Sequence, residues 1–389
     1  MKIAWICSAL DLRYRFGCTP NWWQFMKGLH ERGHDIIAIP YIGEAFETPW
    51  WRCYRNPCAT EGAIFYQLKQ RWVKGATSTQ RGVSGWGVRF VIEHWVRRKW
   101  QAHLARVLER EKDVDAVIIA TVPMNHLTGI PTFLRQQFSV PVVYWDGDVP
   151  ASLPRFGGFA SGFRIYDGAD LSEYDALICN SEGGALDLKD MGARAVYTIH
   201  WGFDPELYAP LTVDQDRDVY FYGFGAEYRE DWIRAMLVEP SKQMPDHVFV
   251  AGGRNFLSDM GRVHLEGDVP FNVFRRACCR SRINLNITRS PHASVLASST
   301  GRVFELAFMG CCIVSNPHAG IERWLTPGES VIVVHSTDEA LETYRHLLKD
   351  ESTRRCLGEA ARRTALERHT HVHRAEEIVA CLEKIRQGN

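Results

Sequence analysis

The sequence has no net charge and no long apolar run, and these two absences exclude several classes of protein. Lysine plus arginine and aspartate plus glutamate both number 46 among the 389 residues. Balanced charge gives no general attraction to nucleic acid or to an anionic membrane, so neither partner is expected. No apolar run approaches the roughly 20 residues of a membrane span. The first residues predict a buried strand rather than a signal peptide.

Residue types that often bind metals show no metal-binding arrangement. The eleven cysteines include no Cys-x-x-Cys motif, and most fall within predicted strands and helices. Such cysteines are typical of reduced, buried thiols in a cytoplasmic protein, which is the state and the location that we expect. His369, His371 and His373 alternate along the chain without a cluster of cysteines or carboxylates, and they are predicted to be solvated.

The sequence contains a repeated alternation of strands and helices, over a length too great for one core. In the first half, strands are predicted at residues 3–7, 34–40, 116–121, 140–145, 176–180 and 196–200. In the second half, they are predicted at residues 219–222, 248–251, 263–266, 283–287, 312–315 and 331–334. This alternation is typical of doubly wound parallel sheets. The simplest architecture is two Rossmann-like α/β domains that face a cleft.

One segment, residues 299–322, combines a buried helix with two charges. Thr300 is a candidate N-cap, Gly301 leaves the first turn open, and the helix that follows is apolar on nearly every face. Arg302 and Glu305 are three residues apart and therefore lie on one face of this helix. Two interpretations remain open. Either the two charges form an intrahelical ion pair, or the helix N-terminus binds phosphate while Glu305 accepts hydrogen bonds from hydroxyl groups.

The run R-V-F-E-L-A-F-M-G-C-C-I-V-S-N, followed by G-I-E, resembles the donor-site segment of GT-B glycosyltransferases of group 1 (family 4-like). More narrowly, it is similar to their spore-maturation CgeB-like branch. The resemblance continues in I-N-L-N-I-T-R and in H-W-G-F-D-P-E-L-Y-A-P, which resembles the segment that ends the first domain in this group. It implies a GT-B fold and a donor that is a UDP-sugar or another nucleotide-sugar. It also implies that Glu305 binds the ribose hydroxyls of that donor.

The resemblance implies a division of the chain as well. Residues 1–205 are expected to form the acceptor-side domain and residues 206–370 the donor domain. Residues 371–389 are expected to form a helix that packs back on the first domain. Gly17 matches the glycine of the first loop in the family. Residues 43–87 follow no clear period, and we interpret them either as an insertion that faces the acceptor or as aromatic residues that fill a minor core.

Ligands of open α/β sheets bind at the carboxyl ends of the strands, which places several residues of the second half around one crevice. The candidate donor-binding residues are Gly223, Gly225, Arg229, Gly253, Arg289, Thr300, Gly301, Arg302 and Glu305. Glycine turns allow backbone N–H groups to approach a diphosphate, and arginines neutralise it. For each glycine alone, a tight turn is the alternative. Because cations and a helix N-terminus stabilise the leaving phosphate, we expect neither a metal ion nor another cofactor.

Three residues of the first half are candidates for catalysis: His126, Asp146 and Asp148. The two aspartates, in the motif D-G-D, follow a predicted strand, and either carboxylate could orient or deprotonate an acceptor hydroxyl. The alternative, a D-x-D that binds a divalent cation, is typical of the other large glycosyltransferase fold. His126 lies where the resembling family carries a histidine near the transferred sugar, and a structural role is its alternative.

The sequence departs from the family pattern at one position. Family 4 transferases carry two glutamates separated by seven residues, and Ala297 stands where the first would be. The leading hypothesis is a glycosyltransferase that moves a sugar from a nucleotide-sugar to a hydroxyl of a small-molecule, lipid or glycan acceptor. Two alternatives remain open. One is a catalytically silent GT-B module that binds a nucleotide-sugar or a glycan, and the other is a nucleotide-sugar 2-epimerase.

Overall fold

The computed structural model describes residues 1–10, 21–61, 95–160, 163–225 and 228–388. The strands are β1 (Lys2–Ala9), β2 (Asp35–Ile42), β3 (Arg52–Cys53), β4 (Ala116–Ala120), β5 (Val142–Asp146), β6 (Phe159–Ala160), β7 (Phe163–Arg164), β8 (Ala176–Cys179), β9 (Val196–Thr198), β10 (Arg217–Phe224), β11 (Phe249–Arg254), β12 (His264–Gly267), β13 (Ser281–Asn286), β14 (Ile313–Ser315) and β15 (Ile332–Val333). The helices are α1 (Asn21–Glu31), α2 (Arg97–Glu111), α3 (Ile130–Phe138), α4 (Glu182–Asp190), α5 (Glu230–Ile233), α6 (Glu239–Gln243), α7 (Phe271–Cys279), α8 (Ser290–Ser294), α9 (Gly301–Phe308), α10 (Thr337–Lys349), α11 (Glu351–Arg368) and α12 (His371–Gly388). None of these described helices is both long and apolar enough to cross a membrane.

Thirteen of the described strands form two sheets in which every neighbouring pair is parallel. The first sheet has the order β3-β2-β1-β4-β5-β8-β9, and the second has the order β12-β11-β10-β13-β14-β15. β4, β5 and β8 are buried along their whole length, as expected of parallel strands that helices cover on both faces. The prediction of two doubly wound, parallel-sheet α/β domains is confirmed.

The two domains are joined by a linker and by a set of main-chain hydrogen bonds. The first sheet ends at Thr198 and the second begins at Arg217, and the predicted boundary after residue 205, which stays a prediction, falls between them. The N–H of Ser299 donates to the carbonyl of Asn180 at 2.9 Å. Next to it, the N–H of residue 183 donates to the carbonyl of residue 296 at 3.0 Å. These bonds hold the loop before α9 against the beginning of α4.

The last helix, α12, packs on the first helix of the chain. Nε2 of His371 lies 2.7 Å from Oε2 of Glu31 in α1. The helices approach most closely at Gly28, where an added Cβ would lie 2.6 Å from the main-chain oxygen of His371. His371 and His369 are only 4% and 6% exposed. The prediction that these two histidines are solvated is therefore wrong. His371 is buried against the first helix, and the ring of His369 lies 5.0 Å from that of Phe304.

The described part of the predicted insertion consists of packed aromatic residues. The ring centroid of Trp23 in α1 lies 5.9 Å from that of Trp50 and 5.3 Å from that of Trp51. Trp51 is buried, and Phe46 lies on the same cluster. For these residues the structure supports the minor-core alternative. Residues 62–87 of the insertion, and Gly17, lie outside the described residues.

Candidate functional site

The carboxyl ends of the two sheets meet at an ion pair between the domains. Asp148 follows β5 of the first sheet by two residues, and Arg289 follows β13 of the second sheet by three. The Arg289 guanidinium donates to Oδ1 of Asp148, and the two residues are 141 positions apart in the sequence. This contact brings a candidate donor-binding residue and a candidate catalytic residue together. It also shows that the carboxyl ends of the two sheets, where ligands bind in open α/β folds, face each other.

A histidine that sequence reasoning missed lies on the same carboxylate. Nε2 of His292, in the short helix α8, is 3.5 Å from Oδ1 of Asp148. Burial and the nearby charge of Arg289 hold the pKa of His292 well below its usual range, so the ring is neutral at pH 7. Its other ring nitrogen, Nδ1, is buried and has no hydrogen-bond partner in the described part of the protein. The only signal in the sequence is its position, three residues after Arg289.

Asp146 is a structural residue of the turn that carries Asp148. It is 0% exposed. Its carboxylate accepts hydrogen bonds from the hydroxyls of Ser152 at 2.5 Å and Tyr166 at 2.6 Å, and from the N–H of Asp148 at 2.9 Å. Burial raises the pKa of Asp146, and these three donors act against that rise. The carboxylate is thus occupied by the protein's own donors, and of the two aspartates only Asp148 is placed to meet a ligand.

His126 lies in the segment that follows β4, the strand next to β5. It ends a 3-10 turn, Met124–His126, that follows β4. Its Nδ1 lies 2.5 Å from the hydroxyl oxygen of Tyr41. Burial lowers the pKa of His126 to about 4, so the imidazole is neutral at pH 7 and can exchange hydrogen bonds but carries no charge.

The candidate glycines of the second domain lie where strands approach each other closely. Gly223 of β10 pairs in register with Gly253 of β11. An added Cβ on Gly253, whose φ is +121°, would lie 2.0 Å from the carbonyl oxygen of Gly223. On Gly225 an added Cβ would lie 2.4 Å from the ring of Phe256. Close packing at the strand ends is sufficient to require these glycines, and donor binding by them stays a prediction.

Arg229 holds the ends of two adjacent strands together. Its Nε donates to the carbonyl of Ile287, just beyond β13, at 2.7 Å. Its Nη1 donates to the carbonyl of Phe224, the last residue of β10, at 3.2 Å. Arg229 therefore fixes the edge of the sheet from which Arg289 projects.

The N-terminus of α9 contains polar atoms that the described residues leave unsatisfied. The N-cap, Thr300, has an extended backbone (φ −121°, ψ 149°), and its side chain makes no capping hydrogen bond. Its Oγ1 is buried without a partner, and so is Oδ1 of Asn21 at the start of α1. A Cβ built on Gly301 would lie 4.0 Å from Nδ2 of this asparagine. Buried polar groups are rarely left unpaired, so this corner is a candidate for ligand hydrogen bonds.

The two charges of α9 form the ion pair that one interpretation predicted. Nη1 of Arg302 lies 3.1 Å from Oε2 of Glu305, and the hydroxyl of Tyr208 donates to Oε1 of Glu305 at 3.2 Å. The guanidinium also lies over the rings of Tyr222 and Phe274, at 4.9 and 4.4 Å from their centroids. Glu305 is 3% exposed, and burial raises its pKa although Arg302 and Tyr208 act in the opposite direction. Tyr208, a linker residue that sequence reasoning missed, thus covers the carboxylate.

No cluster of three or more histidine, cysteine, aspartate or glutamate side chains among the described residues is arranged to hold a metal ion. The two carboxylates of the D-x-D motif are engaged separately, Asp146 inside its own turn and Asp148 by the second domain. The arrangement therefore does not resemble a pair of carboxylates that share one cation.

Comparison with known proteins gives a family match and a fold match. Residues 229–380 match a family model described as glycosyl transferase-like, and this range includes Arg289, Arg302 and Glu305. No curated protein matches the chain. The structure is similar to sucrose-phosphate synthase of Thermosynechococcus elongatus, with a TM-score of 0.65 and 13% identity over 100% of both chains. It is also similar to HepE of Anabaena in complex with UDP-glucose, with a TM-score of 0.61 and 13% identity over 99% of this chain and 100% of that chain.

These matches establish a GT-B fold that carries a glycosyl transferase-like domain in its second half. They confirm the enzyme class predicted from the donor-site segment. A third similar structure agrees: AviGT4, a glycosyltransferase of avilamycin A biosynthesis, has a TM-score of 0.60 and 13% identity over 100% of this chain and 98% of that chain. The narrower likeness to the CgeB-like branch stays a prediction.

Proposed function

We propose that this protein transfers a sugar from a nucleotide-sugar to a hydroxyl acceptor without a metal ion. The observation that carries the proposal is the ion pair between Asp148 and Arg289, which brings the carboxyl ends of the two sheets together. Arg289, the member of this ion pair that belongs to the second domain, lies within the residues that match the glycosyl transferase-like family model. The donor that we propose is a UDP-sugar or a related nucleotide-sugar. The support is that HepE, which has the same fold, has a structure in complex with UDP-glucose.

On the donor side, the nucleotide binds at α9 and its diphosphate binds to Arg289. The ribose hydroxyls donate to Glu305 once the hydroxyl of Tyr208 has moved off the carboxylate. Thr300 and the free N–H groups of the first turn of α9 lie at the end of the helix where an anion is favoured. The bond between the anomeric carbon and the diphosphate oxygen then breaks. Arg289 and the helix N-terminus stabilise the negative charge on that oxygen.

On the acceptor side, Asp148 takes the proton of the acceptor hydroxyl. A hydroxyl of the acceptor attacks the anomeric carbon, the new glycosidic bond forms, and Asp148 accepts the hydroxyl proton. Because Arg289 donates to the same carboxylate, a diphosphate that draws Arg289 away frees Asp148 for this step. Neutral His126 exchanges hydrogen bonds with the sugar or the acceptor from the neighbouring strand end.

The location of the protein, its branch of the family, its acceptor and the roles of its domains are proposed from the sequence predictions alone. We propose a cytoplasmic enzyme of the CgeB-like branch that acts on a small-molecule, lipid or glycan acceptor. Residues 1–205 bind the acceptor, residues 206–370 bind the donor, and residues 371–389 return to the first domain. The remaining donor residues, Gly223, Gly225, Gly253 and Arg229, shape the strand ends that face the diphosphate.

One observation favours a second candidate, a silent module that binds a nucleotide-sugar. Ala297, which replaces the first family glutamate, is buried, and its φ is +47°. A Cβ built on Gly320 would lie 3.0 Å from the Cβ of Ala297, so the position is closely packed. A longer side chain in its place would displace this packing. The site therefore lacks the carboxylate that meets the donor sugar in the resembling family.

A thermal-shift series with UDP, ADP and GDP tests the donor site, with uridine as the control that lacks phosphate. A ligand at 100 times its Kd adds about 2.7 kcal/mol to the free energy of unfolding. We expect one diphosphate to raise the Tm by several degrees and uridine to have little effect. The donor site is refuted if no diphosphate raises the Tm. Binding without release of UDP from UDP-sugars, even with added acceptors, favours the silent module.

A further inference from the structure

His292 is held beside the ion pair between the domains by main-chain hydrogen bonds on both sides of it. The N–H of Ser290 donates to the carbonyl of Tyr228 at 2.9 Å, and the N–H of Ala319 donates to the carbonyl of Ala293 at 2.9 Å. His292 itself is 1% exposed. Because protein interiors are closely packed, its ring cannot turn away without displacing its neighbours. The ring therefore keeps its place when a ligand enters the cleft.

The position of the ring proton follows from the surroundings of the two ring nitrogens. Nε2 lies 3.5 Å from Oδ1 of Asp148, and Nδ1 is buried with no hydrogen-bond partner among the described residues. Burial and the charge of Arg289 keep the pKa of His292 low, so the ring carries a single proton. A proton on Nδ1 would leave the lone pair of Nε2 against the carboxylate and would leave an N–H without an acceptor. The proton therefore lies on Nε2, where it faces the carboxylate.

Arg289 and His292 approach the same oxygen of Asp148 but differ in charge and in freedom to move. The Arg289 guanidinium donates to Oδ1, and its side chain is 14% exposed. A guanidinium forms paired hydrogen bonds with phosphate, so a diphosphate attracts Arg289 away from the carboxylate. A neutral, buried imidazole is not attracted in this way. After the exchange a neutral donor lies at Oδ1 in place of a cation, and a carboxylate in that setting takes up a proton more readily.

We propose that His292 positions Asp148 for proton transfer by becoming the donor to its Oδ1 when a nucleoside diphosphate draws Arg289 away. The inference rests on the proposed sugar transfer and adds a positioning residue to it. The glycosidic bond forms as the bond to the diphosphate breaks, and the proton of the acceptor hydroxyl passes to Asp148. His292 keeps its own proton throughout and donates only a hydrogen bond. Because the exchange needs the diphosphate, the donor activates the base on which its own transfer depends.

The first test is calorimetric titration of the full-length protein with whichever of UDP, ADP and GDP raises the Tm most. In His292→Leu the side chain has no donor to replace Arg289 at Oδ1, so we expect binding about tenfold weaker, which corresponds to about 1.4 kcal/mol. His292→Gln carries an amide that reaches the place of Nε2 and should keep most of the affinity. His292→Asn is the matched control, because its amide reaches only the place of Nδ1, and it should bind as weakly as His292→Leu.

A double-mutant cycle shows whether the effect of His292 passes through Asp148. In an Asp148→Ala background, His292→Leu should leave the affinity nearly unaltered, since there is no carboxylate to hold. The proposal is overturned if His292→Leu weakens binding equally in both backgrounds, because the loss then comes from packing. It is also overturned if every His292 variant binds the diphosphate like the natural protein. That result leaves the donor site intact, whereas a natural protein that binds no diphosphate refutes the donor site itself.

Release of the diphosphate from its sugar donor, with added acceptors, gives a second readout at a donor concentration that saturates each variant. We expect the kcat of His292→Leu and of His292→Asn to be about tenfold lower than that of His292→Gln, since only the glutamine holds the base in place. Thermal unfolding without ligand should give similar Tm values for His292→Gln and His292→Asn, so this pair carries the test even if His292→Leu does not fold. Equal kcat values in this pair would contradict the positioning role.

Discussion

Replacing Glu305 by glutamine separates its two interpretations, because they predict opposite changes in stability and in nucleotide binding. If the carboxylate receives two ribose hydroxyls, each hydrogen bond to the charged group is worth about 1.5–3 kcal/mol. The variant retains one acceptor oxygen but no charge, so a loss of about 3 kcal/mol is a conservative expectation. Since each 1.4 kcal/mol is about tenfold in affinity, UDP should bind about 10²-fold more weakly.

The stability of this variant should change little. Burial raises the pKa of Glu305 in spite of Arg302 and Tyr208, so the ionised carboxylate is less stable in the fold than in water. An amide in its place still accepts the hydrogen bond from Tyr208 and no longer has to be desolvated as a charge. Breaking a buried ion pair that stabilises the fold would instead cost about 3–5 kcal/mol. In a domain of 150–250 residues that loss lowers the Tm by roughly 6–20 °C.

The assay is calorimetric titration with UDP and thermal unfolding of the same Glu305→Gln preparation. Glu377→Gln is the matched control, because Glu377 also pairs with an arginine three residues away, Arg374 at 2.5 Å, on a helix outside the site. The control should bind UDP like the natural protein. A Glu305 variant that melts about 10 °C lower and binds UDP normally refutes the reasoning, since only the structural ion pair predicts both results.

The remaining predictions concern the need for a metal ion, the ion pair between the two domains, and the stability of the protein at low pH. Release of UDP from the donor should continue in EDTA, and an absolute requirement for Mg²⁺ or Mn²⁺ would contradict the metal-free assignment. Asp148→Asn should bind UDP several-fold more tightly, since the diphosphate no longer competes for an arginine, and should transfer sugar about 10²-fold or more slowly. Asp187→Asn is its control, because the two aspartate side chains are 26% and 27% exposed and both pair with arginine. Unchanged transfer by Asp148→Asn would exclude it as the base. Burial holds the pKa of His200 and His318 at about 4, so the unfolded chain takes up protons below about pH 6.5 that the fold does not. The contribution of these two histidines to the free energy of unfolding should therefore be constant above pH 6.5 and fall towards pH 4 by at most about 3 kcal/mol per histidine. His318→Gln should reduce the dependence of the free energy of unfolding on pH, as measured by chemical denaturation. An unchanged dependence would contradict the inference that His318 is held neutral in the fold.

The strands were predictable from the sequence because parallel strands are buried on both faces and therefore read as short apolar runs. The strand predicted at residues 116–121 is Ala116–Ala120, and that predicted at residues 176–180 is Ala176–Cys179. The place of Arg289 was predictable for a related reason, since it follows a strand and the carboxyl ends of parallel strands share one edge.

The contacts that complete the candidate site were not predictable, because each joins residues that the local sequence does not relate. Tyr208 covers Glu305 from 97 positions away, and Asp148 meets Arg289 from 141 positions away. His292 gives no local signal beyond its position three residues after Arg289, because its role depends on a carboxylate in the other domain. Such pairings depend on how the two sheets are oriented, which periodicity does not specify.

The return of α12 to α1 has a consequence for how the protein is made. Glu31 and His371, which are in contact, are separated by 340 positions, so a ribosome working at about 5–20 residues per second needs roughly 20–70 s to deliver the second after the first. Apolar residues of α12 share one core with those of β1 and α1. From the synthesis of Thr198, which completes the strands of the first sheet, until α12 emerges, the first domain exposes the apolar surface that α12 later covers. The second domain, whose strands lie between these points, can complete its sheet first. The core of the first domain is therefore complete only once the last helix has been synthesised.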